Sequence, residues 1–420
     1  MRQPIRGDRH LHMSGCRFRP DADGRRRLTG PDAGEFIAQV LGRQGGRACS
    51  WHLDSVDHQP GVFTTATYAA DVEWPGSRAD TLIGLTIRST GLTDHDRGAL
   101  VFGTRRRPVV GWIHPNDPDL PGLAVLANPR QAAARLRDVG LSECSPGEDL
   151  SLDLLGYRPR RRAVVRLRLP GGQTWYLKVL PASQLAGSVA RLDLLQQAGV
   201  PVPEIQTVLP EGVVVTRALS GRPLSQAIFD ADVPIRASQL LDLLDALPPA
   251  VAGLPRRASW TDLLAHYTRL AMADLPDQGR RLTAIEHRIR RGIGDDPPGR
   301  RPVHGDFHEG QILVAEGHIT GLLDTDTVGP GRRVDDLACL LAHLWTVRRT
   351  LPEQERRLQR LRTEWQQVFE QVVPARSLRL RAAAVAVSLV TSGRRRPDED
   401  TRAESLAILD VAEELVASAG

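Results

Sequence analysis

The chain has 420 residues, 41% of them hydrophobic, which suits two or three domains with cores of their own. The formal net charge is +5, but 55 basic and 50 acidic residues are interleaved and only 4% of residues are aromatic. Without zinc-finger spacing or a pattern of stacking aromatics, this composition argues against nucleic-acid binding.

The first part of the chain has a β-rich pattern. Residues 31–44 have helical spacing, and residues 49–113 contain short β-type runs. A turn-rich connection, 114–122, leads to a predicted helix at 128–138. We predict that residues 1–145 form an N-terminal, β-rich, cap-like extension.

A second β pattern covers residues 150–226 and resembles part of the first. Residues 55–72 align with 154–169, since an x-Pro turn precedes an alternating strand in both, and 81–87 then align with 174–180. A degenerate duplication and a chance likeness of two hairpins both account for this. A helix at 183–198 and a strand–turn–strand at 205–217 follow.

This second β pattern contains the one lysine of the chain. Among the 55 basic residues only Lys178 is not an arginine, and Asn116 and Asn128 are the only asparagines. A GC-biased genome explains the scarcity of both residue types. A position that keeps lysine under such a bias is one that arginine does not serve, so Lys178 is a candidate functional residue.

The rest of the chain is mostly helical. Helical spacing is found at 236–248, 259–273, 280–292, 334–348, 353–372, 377–392 and 402–418, and a strand-rich segment at 301–324 interrupts it. We predict an α+β, two-lobed architecture, with a small β-rich lobe at 146–225 and a large helical lobe at 226–420.

The strand-rich segment begins with VHGDFHEGQILV at 303–314. Asp306, in a loop after a short strand, suits the orientation and deprotonation of an acceptor hydroxyl, and the amide oxygen of Gln311 suits a magnesium ion. Taken singly, a turn aspartate that caps its own loop accounts for the same pattern.

A second acidic motif, GLLDTDTVGPGRRVDDLACLLAHL, follows at 321–344. Asp324 and Asp326 end an apolar strand and can present carboxylates to one hard cation. An acidic turn, with Asp335 and Asp336 capping the next helix, is the alternative. The two motifs together, joined by a predicted β-hairpin, favour phosphoryl transfer.

The paired motifs resemble the signature of the aminoglycoside phosphotransferase and choline kinase family, which has the protein-kinase-like fold. The resemblance covers about residues 150–415. It implies that Asp306 is the catalytic base and Asp324 the main magnesium ligand, with Gln311 as the second ligand and Asp326 matching a DxD variant. It also implies that His304 and Asp336 hold the catalytic loop in place.

The resemblance further implies a nucleotide site for ATP or GTP. Lys178 falls where the family has the third-strand lysine that holds the α- and β-phosphates. The hinge falls on VVVTRALSGRPL, so that backbone groups of Val215, Thr216, Arg217 and Ala218 would face the adenine.

Three positions depart from the family pattern. Ser188 stands where the family has a glutamate that pairs with the lysine, and Asp193 is the nearest acidic residue. Gln311 replaces an asparagine. The glycine-rich loop is replaced by RPRRRAVV. Two interpretations of this segment remain open: the arginines at 160–162 lie near the phosphates, or the segment is a solvated basic turn.

The expected function is an ATP- and Mg²⁺-dependent phosphotransferase acting on a hydroxyl of a small molecule, such as a sugar or an aminoglycoside. A non-catalytic pseudokinase, a kinase for a Ser/Thr-containing biosynthetic peptide, and a nucleotidyl transferase are the alternatives. The sequence carries no expectation about oligomeric state.

Apolar runs and cysteines bear on location. The longest apolar runs are far shorter than a membrane span, and the N-terminus has no apolar signal-peptide core. Four cysteines are scattered without CxxC spacing: Cys16, Cys49, Cys144 and Cys339. We therefore expect a cytoplasmic protein with reduced thiols and no membrane partner.

Overall fold

The computed structural model describes residues 23–96, 98–104, 107–141, 150–169, 171–230, 235–347, 352–391 and 399–420. Within these ranges no helix is both long and apolar enough to cross a bilayer. Cys49 is an exposed free thiol and Cys339 a buried one. The other two cysteines lie outside the described residues.

The extension is a five-stranded antiparallel sheet with two helices before it, α1 (Arg25–Thr29) and α2 (Ala33–Gly42). Its strands are β1 (Arg47–Gln59), β2 (Phe63–Trp74), β3 (Ser77–Arg88), β4 (Leu100–Thr104) and β5 (Arg107–Ile113), in the order β1-β2-β3-β5-β4. The α2 stripe of Phe36, Ile37, Val40 and Leu41 is buried in one apolar cluster with this sheet. The helix therefore covers one face of the sheet.

Two helices connect this sheet to the next, α3 (Gly122–Leu126) and α4 (Pro129–Asp138). Asn128 caps α4, because its side-chain oxygen accepts from the N–H groups of residues 130 and 131, and Pro129 occupies the first turn. A Cβ at Gly122 would lie 2.5 Å from Val213 Cγ2, so glycine allows α3 to approach the second sheet. The buried residues of α3 and α4 belong to the core of that second sheet.

The second sheet repeats the topology of the first. Its strands are β6 (Ser151–Arg158), β7 (Arg162–Arg168), β8 (Thr174–Val179), β9 (Ile205–Leu209) and β10 (Val213–Arg217), in the order β6-β7-β8-β10-β9, with α5 (Ala182–Gln197) between β8 and β9. The matching turns also share a positive φ, at Gly61 (74°) and Arg160 (63°). The sequence alignment of β2 with β7 and of β3 with β8 thus corresponds to equal positions in two sheets.

The remainder is a helical lobe with short strands inserted in it. In chain order its elements are β11 (Arg222–Pro223), α6 (Leu224–Ala227), α7 (Ala237–Asp245), α8 (Leu264–Asp274), α9 (Gly279–Ile293), β12 (Arg301–Val303), β13 (Ile312–Ala315), β14 (His318–Leu322), β15 (Gly329–Gly331), α10 (Arg333–Thr346), α11 (Pro352–Phe369), α12 (Ala375–Leu389) and α13 (Glu399–Ser418). Its largest apolar cluster extends into α5 and the end of β8. The predicted α+β, two-lobed fold class is confirmed.

Two strand pairings bring the acidic motifs together. β12 pairs with β15, so the loop after β12, which carries Asp306, lies beside the segment that leads into α10. The β13–β14 hairpin returns the chain so that the Leu323 N–H donates to the Gln311 carbonyl at 2.7 Å. Asp324 therefore follows directly beside Gln311.

Candidate active site

The loop 304–306 is held from two sides. The backbone N–H groups of His304 and Gly305 donate to the two carboxylate oxygens of Asp336, at 2.7 and 2.8 Å. The His304 ring, fully buried, places Nε2 2.9 Å from the Leu323 carbonyl, and Thr327 Oγ1 donates to the His304 carbonyl at 2.8 Å. Burial lowers the pKa of His304, so the neutral ring donates its Nε2 proton to that carbonyl. These contacts fix the backbone that presents Asp306.

Asp336, at the start of α10, is buried, and burial raises its pKa to about 7 against the opposing effect of the two N–H donors. Carboxylates are favoured at a helix N-terminus, where backbone N–H groups lack partners. The positions of His304 and Asp336 match the loop-holding role that the family resemblance implies.

The Asp306 carboxylate has no cationic side chain as a partner among the described residues. Burial is the largest effect on its pKa and raises it, His304 acts in the opposite direction, and the Asp324 charge raises it further. Among the described residues no lysine or arginine forms an ion pair with Asp306. A carboxylate with a raised pKa is a stronger base, which suits abstraction of a proton from an acceptor hydroxyl.

The pKa of Asp324 is shifted in the opposite direction to that of Asp306. Burial would raise its pKa, but Lys178 and Arg162 outweigh burial and hold the pKa well below its ordinary value. Lys178 Nζ lies 3.1 Å from Oδ1, and Arg162 Nη1 lies 2.9 and 2.7 Å from the two oxygens. Asp324 adopts a left-handed backbone (φ 52°), which for a non-glycine residue is tolerated where surrounding contacts hold it.

Lys178 bridges both carboxylates of the DxD motif. Its Nζ lies 2.5 Å from Asp326 Oδ2, and the Ser188 hydroxyl on α5 donates to Asp326 Oδ1 at 2.7 Å. The helix that carries a glutamate in the family pattern thus reaches the lysine through Ser188 and Asp326. Asp193, the alternative partner, is exposed on the same helix and forms none of the described ion pairs.

The Gln311 amide is paired with His308. The Gly310 N–H donates to His308 Nδ1 at 3.1 Å, and burial lowers the His308 pKa to about 4, so the neutral ring carries its proton on Nε2. The structure places the Gln311 amide nitrogen 3.2 Å from that Nε2. Because two N–H groups do not hydrogen-bond, we assign the amide in the opposite orientation, with its oxygen accepting from His308.

The hinge differs in part from the prediction. The Arg217 N–H donates to the Glu204 carbonyl at 3.0 Å and the Ala218 N–H to the Thr174 carbonyl at 3.1 Å. Those two donors are therefore unavailable to adenine. Val215 and Thr216 are buried within β10, and contact of this segment with a base stays a prediction.

The three arginines of the β6–β7 turn separate. Arg162 reaches the acidic cluster, whereas Arg161 pairs with Asp57 of the extension at 3.2 Å. Arg160 is 8% exposed and is bound by Asp96 and Asp119, at 2.6 Å each. Arg160 is therefore engaged by carboxylates of the extension and does not belong to a solvated turn, whereas contact of Arg161 and Arg162 with phosphates stays a prediction.

Sequence reasoning missed a group beside the catalytic loop. Ligand atoms of His308, Glu309 and His343 lie within 4.8 Å of one another. The two imidazoles are stacked, with centroids 4.2 Å apart and planes at 10°, so their in-plane lone pairs point in parallel planes and do not converge on one ion. The stacking holds His308 in place for Gln311.

The model of the phosphotransferase enzyme family matches residues 158–370, about half of the chain, which include every site residue described above. The chain belongs to this family.

Among curated proteins none matches the chain. A solved structure of the aminoglycoside phosphotransferase APH(4)-Ia, a thermostable mutant with ADP and hygromycin B, is similar at 16% identity and a TM-score of 0.47, covering 64% of this chain and 94% of that one. A putative fructosamine-3-kinase from Thermobifida fusca is similar at 20% identity and 0.43, covering 68% and 98%. A Plasmodium vivax ethanolamine kinase is similar at 12% and 0.42, covering 68% and 87%. These likenesses do not indicate an acceptor for this chain.

Proposed function

We propose that this family member transfers the γ-phosphate of ATP (or GTP) to a hydroxyl of a small molecule with the help of Mg²⁺. The observation that carries the proposal is the division of the two aspartates. Asp306 has no cation partner within the described residues and a raised pKa, while Asp324 is kept ionised by Lys178 and Arg162. One carboxylate suits a base and the other a cation ligand.

The donor set fits a hard cation. Asp324 and Gln311 lie side by side across the end of the β13–β14 hairpin and offer carboxylate and amide oxygens, with Asp326 next to them. When bound, Mg²⁺ would neutralise charge on the phosphates. Lys178 and Arg162 already lie against these carboxylates and would hold phosphate oxygens beside them.

The reaction assigned to the chain's own groups is short. Asp306 accepts the proton of the acceptor hydroxyl, whose oxygen forms a bond to the γ-phosphorus. The bond from that phosphorus to the bridging oxygen of the nucleotide breaks, and the diphosphate keeps that oxygen. Asp336 and His304 hold the loop so that the Asp306 carboxylate keeps its direction.

The decisive experiment compares Asp306→Asn with Asp193→Asn. The first removes the base at almost constant volume, and we expect a loss of kcat of about 10²- to 10⁴-fold with nucleotide affinity retained. The second changes an exposed aspartate on α5 and should leave kcat unchanged. Acceptor-dependent nucleotide turnover gives the rates, and thermal shift with nucleotide and Mg²⁺ gives the affinities. Equal rates for Asp306→Asn and the wild type would contradict the assignment.

A pseudokinase is the second candidate, favoured by one observation: Lys178 is engaged by both carboxylates of the DxD motif, with Ser188 in place of a helix glutamate. A nucleotide-induced thermal shift without turnover for any hydroxylated small molecule or Ser/Thr peptide would support it. Product mass distinguishes the remaining alternative, since nucleotidyl transfer adds a nucleotide rather than a phosphate. A cytoplasmic location stays a prediction.

A further inference from the structure

The backbone of the β6–β7 turn has few N–H groups to offer a ligand. Pro159 carries no N–H group at all. The Arg160 N–H donates to Asp117 at 2.8 Å, and the Arg161 N–H donates to the carbonyl at 158, at 3.0 Å. A loop that binds phosphate through its backbone needs successive free N–H groups that point at the anion. Contact of this turn with a nucleotide must therefore come from its side chains.

Two arginines at the ends of the turn, Arg158 and Arg162, lie on the face of the second sheet that carries Lys178. Arg158 pairs with Arg162 between β6 and β7, and Val164 pairs with Lys178 between β7 and β8. Directly opposed residues share a face of an antiparallel sheet, and so do residues two apart along a strand. The contacts of Arg162 and Lys178 with Asp324 place this face against the carboxylates of the large lobe.

The other two arginines of the turn are bound by the extension. Arg160 is held by Asp96 and Asp119, at 2.6 Å each, and Arg161 pairs with Asp57 at 3.2 Å. The extension thus anchors the turn from outside the site. The two end arginines are the ones left to face the site.

The end arginines form a cross-strand pair of like charge. Directly opposed side chains have Cβ atoms about 4.5–5.5 Å apart, and like charges in this position destabilise a sheet. Asp324 neutralises Arg162, whereas Arg158 is exposed and forms an ion pair with no carboxylate in the described ranges. An anion between the two guanidinium groups would relieve the repulsion and give Arg158 a partner.

Both end arginines are within electrostatic reach of the two aspartates of the site. Desolvation and the charges of Arg162 and Arg161 lower the pKa of Arg158, and Asp324 raises it. Burial raises the pKa of Asp306, and Arg162 and Arg158 are among the charges that lower it. Arg162 contacts Asp324 through Nη1, and none of the hydrogen bonds in the described part of the chain uses its Nε or Nη2. Both arginines therefore have N–H groups to give to a ligand between the aspartates.

We propose that Arg158 and Arg162 form a clamp on the terminal phosphate of the nucleotide, in which guanidinium groups take the place of backbone N–H groups. The proposal rests on the phosphotransferase function proposed above. Each guanidinium donates N–H groups to oxygens of the γ-phosphate, whereas Lys178 contacts the inner phosphates. The clamp therefore favours a nucleoside triphosphate over the diphosphate, and its contacts to the nucleotide end once the terminal phosphate has been transferred.

Calorimetric titration of the full chain tests the clamp, with AMP-PNP as a triphosphate that is not hydrolysed, ADP as the diphosphate, and Mg²⁺ present throughout. The deciding variant is Arg158→Leu, because Arg158 is exposed and, unlike Arg162, contacts no proposed cation ligand in the described ranges. We expect it to weaken AMP-PNP binding about tenfold, as for a lost hydrogen bond between charged groups, and ADP binding less than about twofold. Arg158→Lys keeps the charge without the planar fork and should lose less affinity for AMP-PNP.

Arg168→Leu is the matched control. Arg168 lies on β7 at the other end of the same hairpin and pairs with Asp153 at 3.0 Å, so this variant should bind both nucleotides like the wild type. Thermal unfolding separates affinity from folding. The midpoint of Arg158→Leu should be no lower than that of the wild type, since the substitution removes one of two opposed like charges.

Equal losses of AMP-PNP and ADP affinity in Arg158→Leu, unchanged affinity for both, or the same selective loss in Arg168→Leu would each overturn the clamp. A selective loss of AMP-PNP affinity in a chain that turns over no hydroxylated acceptor would keep the clamp and overturn the transferase function. Acceptor-dependent turnover with the same KM for ATP in Arg158→Leu and the wild type would do the reverse. A wild type that binds neither nucleotide would overturn both.

Discussion

Lys178 shows how a single charge organises the site. It stands 3.1 Å from Asp324 and 2.5 Å from Asp326, and only 22% of its side chain is exposed. A lysine ammonium is a compact charge that can serve two carboxylates at once, whereas the planar arginine fork is built for bidentate contact with one. Asp326 in turn accepts from Ser188, so the lysine is tied to α5 through a carboxylate of the large lobe.

We predict that Asp326 positions Lys178. Asp326→Asn should raise the nucleotide KM about tenfold, since a largely buried lysine loses one of its two charged partners. Ser188→Glu in the same chain should restore part of that loss, because a carboxylate then reaches the lysine from α5. Ser188 lines a cavity of 150 Å³ together with Asp326, which leaves room for the longer side chain.

Nucleotide KM values of the two single variants and the double variant, from steady-state kinetics, decide the matter. A double variant no better than Asp326→Asn would show that Asp326 acts in another way, for instance on the cation. Unfolding transitions measured alongside separate a loss of folding from a loss of affinity.

The pKa of Asp306 makes a second prediction at this scale. The base must be ionised to act, and burial raises its pKa above 3.8, so activity is lost as pH falls through that raised value, earlier than for an exposed aspartate. Arg162 lowers this pKa, so Arg162→Leu should move the acid limb of kcat/KM to higher pH whatever it does to the maximum rate.

The control for this profile is Arg166→Leu. Arg166 is on the same strand, β7, and pairs with Asp153 away from the site, so its removal should leave the acid limb where it is. Acid limbs of the two variants at the same pH, or a shift of Arg162→Leu to lower pH, would contradict the assignment of the limb to Asp306.

At the scale of elements, the β6–β7 turn is built unlike its equivalent in the first sheet. The first turn uses Gly61 for its positive φ, whereas the second uses Arg160 at φ 63°. A non-glycine residue there costs roughly 1–2 kcal/mol. The Arg160 contacts offset that cost: its backbone N–H donates to Asp117 at 2.8 Å, and its guanidinium binds the buried Asp96 and the partly buried Asp119.

We predict a graded loss of stability at this turn. Arg160→Ala should lower the free energy of unfolding by about 3 kcal/mol, because Asp96 and Asp119 lose a buried partner. Arg160→Gly should lose about 1 kcal/mol less, since glycine relieves the backbone cost. Denaturant unfolding of both variants gives the comparison. An alanine variant as stable as the glycine variant would show that the turn is not strained.

The local sequence pattern predicted the helices and strands well, but it did not predict which distant residues contact one another. Helical periodicity set α4 and α9–α12 within a few residues of their observed bounds, and the x-Pro turns aligned strands that lie at equal places in two sheets. The motifs singled out Asp306 and Asp324 because their spacing is short-range. The pairs Arg162–Asp324 and Arg160–Asp96 were missed. Their partners are separated in sequence by 162 and 64 positions, respectively, and meet only through the three-dimensional arrangement of the sheets. The Gln311–His308 pair needed the tautomer as well as the spacing.

At the scale of the molecule, the extension contacts both lobes. Arg25 of α1 pairs with Asp274 at the end of α8 at 2.6 Å, while Tyr157 of β6 accepts from Trp112 Nε1 and donates to Asp117, at 2.8 Å each. The extension therefore restrains the small lobe and one helix of the large lobe together. Such a bridge would limit the relative motion by which two lobes close on a nucleotide.

The position of α3 and α4 decides where the extension ends, and it carries the last prediction. The first sheet has an apolar cluster of its own, whereas Leu123, Leu126 and Leu136 of these helices are buried in the cluster of the second sheet. Packing thus favours a boundary before Leu120 over the predicted one at 145.

A chain that begins at residue 146 leaves that face of the second sheet uncovered and should aggregate, since large exposed apolar patches do so. A chain that begins at residue 118 keeps both helices and should remain soluble, with a cooperative thermal transition at a lower temperature than the full chain. Equal behaviour of the two truncated chains in size-exclusion chromatography and thermal unfolding would place the boundary elsewhere.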